Sequence, residues 1–157
     1  MTLYLDKSEP EAWQAARAWS TVVAETALAK GLTAQEVELL KVRASQLNAC
    51  AYCLDLHSRE ARAAGVPQQK LDMLPAWRDA ELYGERDRAV LAIAEAATSL
   101  PLTEDARADL MGARSVLGED GFVAAEWIAV AINAFNRISI LSRHRVNPRD
   151  AEGRLVR

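Results

Sequence analysis

Cys50, Cys53 and His57 stand at i, i+3 and i+7 in the run Cys50-Ala51-Tyr52-Cys53-Leu54-Asp55-Leu56-His57. On a helix of 3.6 residues per turn all three fall along one face. Two thiols and an imidazole in that order can carry out redox chemistry. A free thiol ionises near pH ~8.5 and reacts as the thiolate, so a catalytic cysteine needs help. His57, one turn beyond Cys53, can accept its proton or stabilise its anion, and Cys50 falls in the first helical turn, where the dipole favours negative charge. A Cys53 that attacked a peroxide would become a sulfenic acid. Cys50, a turn away, would then attack that sulfur and release water as the disulfide forms.

The same residue types admit other readings. Thiolate and imidazole bind zinc, with Glu38 or His144 as a fourth ligand, although structural zinc sites usually gather ligands from two separate segments. Buried cysteines are also often ordinary core residues. Cys50 and Cys53 are the only two cysteines of the chain. A bridge between them closes too short a loop to staple a fold, and in a reducing compartment such a pair points to redox or metal chemistry.

The elements that must position these residues are all helical. Ser8-Glu9-Pro10-Glu11 reads as a capping box that starts a helix near Glu9, with Trp13, Ala16, Ser20, Val23 and Ala27 as a buried stripe and Gly31 as terminator. Thr33-Ala34-Gln35-Glu36 is a second capping box, opening a helix to about Leu47. Asn48 is the expected N-cap of the helix bearing the cysteines, which runs to Arg62 and ends at Gly65. Pro67 and Pro75 bracket a short segment, Gln68 to Met73, and a turn through Trp77. Two more helices follow, Asp87 to Ser99, closed by Pro101, and one opened by Thr103 with Glu104 and Asp105. The last, Gly121 to Arg145, is apolar on more than one face, with Trp127, Ile128, Ile132 and Phe135 among its residues. That suits a central helix or one shared with another subunit. No window alternates as a strand does, so the expectation is one all-α domain of about six to seven helices over residues 1–157.

Composition narrows the function classes. The net charge of −3 is made of both signs throughout, which argues against nucleic acid and anionic membranes as partners. The N-terminal run has no basic n-region or apolar h-region, and no stretch approaches the ~20 apolar residues that span a bilayer, so a cytoplasmic location is expected. No cofactor is called for by any motif.

The segment from Glu38 to His57 reads Glu, eleven residues, Cys, two residues, Cys, three residues, His. It resembles the core of the alkylhydroperoxidase D-like branch of the carboxymuconolactone decarboxylase family. Ile132-Asn133-Ala134-Phe135-Asn136-Arg137 is similar to a stretch near that family's C-terminal end. The resemblance implies an all-helical subunit that assembles as a homotrimer or homohexamer and acts as a thiol-dependent peroxidase on a hydroperoxide. It implies Cys53 as the peroxidatic cysteine, Cys50 as resolving cysteine and proton donor, and Glu38 with His57 as a proton relay, reset by a thiol or dithiol reductant. Spacing alone does not select Glu38, because its approach depends on how two helices fold together. Tyr52 stands where some relatives carry a second histidine, which implies a shorter proton path. A lyase like the family's decarboxylase would need an acid/base group and cationic anchors but no cysteine pair, and a non-enzymatic redox-sensing or zinc-binding module is the further alternative. Outside the motif, His144 is expected to be structural or exposed, Asp55 to point away from the reactive face, Asn133, Asn136 and Arg137 to satisfy buried polar groups or a subunit contact, and the tryptophans to pack in the core or an interface.

Overall fold

The computed structural model describes residues 3–156, and among them it contains seven α-helices and no strand. They are α1 (Leu5–Ser8), α2 (Pro10–Ala29), α3 (Ala34–Leu47), α4 (Ala51–Ala63), α5 (Gln68–Met73), α6 (Glu85–Thr98) and α7 (Glu104–Ser142), with a 3₁₀ turn at Leu74–Ala76 after α5. None is long and apolar enough to cross a membrane.

Helix ends follow local chemistry in most places. Thr33 forms the expected capping box with Glu36: its hydroxyl accepts from Glu36 N at 3.2 Å, and Glu36 Oε2 accepts from Thr33 N at 2.8 Å. Thr103 caps α7 by its hydroxyl alone, which accepts from Ala106 N at 3.1 Å. Gly65 turns the chain after α4 at φ 91°, where a Cβ would also lie only 3.0 Å from Gln35 Nε2. Gly118, at φ 72° and ψ 169°, breaks α7 into the two helical stretches expected from the sequence.

Two expected ends are corrected. Ser8 is not an N-cap: it completes the single turn of α1, and α2 begins without a side-chain cap, Pro10 supplying the fixed φ of a first helical residue. Nor does Asn48 cap the cysteine helix. It closes α3, and Cys50 takes the N-cap position of α4. Between them Ala49 adopts a left-handed φ of 52°, so that Ala49 N donates to Gln46 O and Cys50 N to Ser45 O, both at 3.0 Å. This Schellman turn joins α3 directly to α4.

The core has two parts, and α3 and α6 serve both. Leu40, Val90, Ile93 and Ile128 belong to a cluster with α2 and α7, while Leu39, Val42, Leu91, Leu74 and Trp77 form a second with α4, α5 and the 3₁₀ turn. A helix buried on both flanks cannot shift without disturbing two packed clusters, so α3 is a stiff carrier for whatever it presents.

Asn133 and Asn136 fix the end of α3 from the far side. Asn48 Nδ2 donates to Asn133 Oδ1 at 2.9 Å and to Asn136 Oδ1 at 2.8 Å, and Asn136 Nδ2 donates to Ser45 Oγ at 3.1 Å. Arg137 closes the row by donating to Asn133 Oδ1. The three residues thus satisfy buried polar groups, as the sequence suggests. Because Asn136 is fully buried, Asn136→Ala leaves Ser45 without that donor and is expected to cost about 2 kcal/mol, read from urea denaturation midpoints.

Candidate active site

The α3–α4 turn brings Glu38 and His57 together. Glu38 Oε2 lies 2.9 Å from His57 Nδ1, with the two side chains 10% and 12% exposed. Glu38 Oε1 accepts from Lys41 Nζ at 2.8 Å, and Glu60 Oε2 approaches His57 Nδ1 at 3.5 Å. Lys41 and Glu60 are the two members that the sequence reading missed. Each stands three residues from a motif residue on the same helix, Lys41 after Glu38 and Glu60 after His57, which is the signal that could have found them.

Burial by itself pushes the His57 imidazole down, but hydrogen bonds to Glu38 and Glu60 and the Glu38 charge outweigh it, against a smaller opposing push from Lys41. The net direction is upward from 6.5. Glu60 is held below the usual carboxylate range, chiefly by its hydrogen bond from His57. With its folded value raised, His57 contributes stability that is complete below pH 6.5 and is lost as pH rises through the raised value. The expected result is an unfolding midpoint that falls between neutral and mildly alkaline pH, less steeply in His57→Gln; urea titrations across that range read it out.

Cys50 and Cys53 are joined as a disulfide, with Cα atoms 5.3 Å apart and both residues buried. Cys50 Sγ also accepts from Cys53 N at 3.4 Å, so the Cys50 sulfur serves as the N-cap of α4. The helix N-terminus therefore acts on Cys50 through a direct N–H contact rather than from within the first turn. In this bridged form the two sulfurs are bonded to each other. The nearest grouping of metal-type donors among the described residues is Glu38, His57 and Glu60, and it contains no sulfur.

A cavity of about 410 Å³ opens over this site, lined by Cys53, His57, Lys41 and Glu60 and walled by Trp13, Leu56, Ile132 and Phe135. Cys53 belongs to its lining and Cys50 does not. The N-terminal half of the α2 stripe is thus partly cavity wall: Trp13 meets Phe135 edge to face with ring centroids 5.7 Å apart. Trp19 packs against Trp127 in the same manner, and Trp77 is buried and donates to Glu95 Oε1 at 2.7 Å. Asp55 turns away, to Arg59 and Arg149.

His144 is corrected in place and surroundings. The last helix stops at Ser142 and Arg143 takes a left-handed conformation, so His144 lies beyond the helix rather than in its final turn. Its ring is largely buried, touches Tyr52 edge to face at 5.2 Å, and lines the same cavity as Cys53.

Residues 13–96, more than half of the chain, match the family model described as the carboxymuconolactone decarboxylase family. The chain belongs to that family. YdfG of Bacillus subtilis, itself uncharacterised, is 34% identical over 108 residues, which is 69% of this chain and 74% of that protein. A crystallised protein of unknown function from Agrobacterium tumefaciens, whose name assigns it to antioxidant defence as an AhpD, superposes with a TM-score of 0.83. The identity is 30%, over 96% of this chain and 100% of the other. Within the family, the chain falls in the AhpD-like branch, and a Cys-x-x-Cys pair at disulfide distance fits a redox role there.

Proposed function

We propose that this family member is a thiol-dependent peroxidase of the alkyl hydroperoxide reductase type, or a closely related disulfide reductase, cycling between the Cys50–Cys53 dithiol and disulfide. The observation that carries the reading is the asymmetry of the pair: both cysteines are buried, but Cys53 lines the cavity with His57 and Cys50 does not. Cys53 is the sulfur that meets the peroxide and Cys50 the one that resolves it.

Glu38 takes the Nδ1–H of His57 and so leaves Nε2, which has no partner among the described residues, to accept the Cys53 proton. The Cys53 thiolate attacks the hydroperoxide oxygen that carries hydrogen; the S–O bond forms, the O–O bond breaks, and the alkoxide leaves with the electron pair and becomes the alcohol on taking up a proton that solvent supplies. Cys50 releases its thiol proton to solvent, its thiolate displaces hydroxide from the sulfenic acid, the hydroxide takes the proton held on His57, and disulfide and water result. A small dithiol returns two electrons and two protons to reset the pair. A cycle reset by thiols suits the cytoplasm.

The subunit works as a homotrimer or homohexamer. In support, the half-exposed Val123, Trp127 and Val130 of α7 leave an apolar face on a single subunit. Light scattering gives the assembled mass.

A family member that acted instead as a decarboxylating lyase would not need the cysteine pair, and turnover of a carboxylated lactone by the Cys50→Ser/Cys53→Ser double variant would favour it. The assay that tests the proposal is hydroperoxide consumption by purified protein with dihydrolipoamide or dithiothreitol as reductant. Turnover dependent on the protein and on a dithiol is expected, and its absence with every reductant would overturn the peroxidase reading.

A further inference from the structure

Ser139, His144 and Asp6 form a hydrogen-bonded row that lines the same cavity from α7, the turn after it and α1 rather than from α4, and the thiol chemistry described above uses none of them. His144 Nδ1 lies 3.3 Å from Ser139 Oγ, and His144 Nε2 lies 3.1 Å from Asp6 Oδ1. All three residues line the cavity with Cys53 and His57.

The row is held from both ends of the chain. The left-handed Arg143 turns the backbone so that His144 N donates to Ser139 O at 3.1 Å, placing the imidazole back over α7. Tyr4 stacks on that ring with centroids 5.7 Å apart. Asp6 arrives on α1, which is pinned to α7 by Leu5 N donating to Ser142 Oγ at 3.0 Å. Side chains that are 138 positions apart in sequence are thereby fixed in one line.

Ser139 is buried within α7, yet its hydroxyl makes no bond to its own helix among the described residues. Ser45, by contrast, donates to Lys41 O at 2.8 Å. When His144 donates Nδ1–H to Ser139 Oγ, the serine's own proton remains for a ligand in the cavity. The row does not suit acyl transfer, because the backbone N–H groups around Ser139 are engaged in α7 and offer no oxyanion hole.

We propose that Asp6, His144 and Ser139 form a proton relay that protonates the leaving oxygen of the hydroperoxide, an inference that rests on the peroxidase reading. Displacement at oxygen runs in line, so the leaving oxygen lies on the far side from the Cys53 sulfur. His57 shares the helix face of Cys53 on α4 and stands beside the nucleophile, so the donor for the leaving oxygen must come from another element. As the sulfur is oxidised and the O–O bond breaks, the alkoxide leaves with the electron pair and takes the Ser139 proton. Ser139 takes the Nδ1 proton of His144, and the imidazole stays bonded to Asp6 through Nε2–H. Solvent returns one proton to His144 before the next turnover. Ser139 is the catalytic residue of this step, and His144 and Asp6 are positioning residues that charge it.

The test compares leaving groups. tert-Butyl hydroperoxide releases a strongly basic alkoxide that needs a proton, whereas peracetic acid releases acetate, which does not. Ser139→Ala and His144→Gln are expected to lose about a hundredfold in kcat/KM on tert-butyl hydroperoxide. On peracetic acid the expected loss is about threefold or less. Alkylation of reduced Cys53 by iodoacetamide, where iodide leaves without a proton, stays at the parent rate if the variants are folded. Equal losses on both oxidants, or no loss on either, overturn the relay. A parent protein that reduces neither oxidant overturns the peroxidase reading itself.

Discussion

Cys53→Ser is expected to lower hydroperoxide consumption by on the order of a thousandfold or more, because the variant loses the nucleophile itself rather than a group that assists it. The effect should not be shared equally by the pair. Cys50→Ser keeps the sulfur that lines the cavity, so it should still react once with hydroperoxide. Without a resolving thiol the product stays as a sulfenic acid on Cys53 and passes to sulfinic acid with excess peroxide. Mass spectrometry after dimedone trapping reads this directly: a Cys53 adduct in Cys50→Ser and none in Cys53→Ser. Equal single-turnover reactivity in the two variants would mean that the roles are not divided as the cavity lining, which includes Cys53 and not Cys50, suggests.

The second large effect is expected at Glu38. Glu38→Gln keeps the shape and an acceptor for His57 Nδ1–H but removes the charge. Two influences on His57 then change in the same direction: the carboxylate no longer favours the imidazolium, and Lys41, now without its anionic partner, bears on His57 unopposed. The His57 titration midpoint should therefore move down, measured by NMR on the imidazole protons. A base with less affinity for the thiol proton, and a weaker partner for the thiolate, should cost about a hundredfold in kcat/KM. Lys41→Met removes the opposing cation instead and should move the His57 midpoint up. A purely structural role for Glu38 would lower the melting temperature of Glu38→Gln while leaving the midpoint where it was.

What the sequence disclosed depended on how local the determining interaction was. Thr33 with Glu36, and Gly65, are settled by contacts within a few residues, and those readings agree with the structure. Of the three residues read onto one helix face, Cys53 and His57 lie on α4 and line one cavity, whereas Cys50 is the N-cap of α4 and stays outside that lining. Asn48 was misplaced because an asparagine between two helices can cap either. Its partners Asn133 and Asn136, 85 and 88 positions away, decide the matter, and no local pattern reveals them. Glu38 came into view only through the family motif, since its meeting with His57 is made by the left-handed turn at Ala49. Lys41 and Glu60 were legible in principle at three-residue spacing from Glu38 and His57. His144 was not: its place depends on where α7 stops and on Asp6 at the opposite end of the chain.

The most direct test of the account is thiol counting on the fully reduced protein before and after one equivalent of hydroperoxide. Both cysteine thiols should disappear together, with an intramolecular Cys50–Cys53 disulfide as the only protein product and one equivalent of alcohol released. Retention of both thiols, with the hydroperoxide unconsumed, would contradict it.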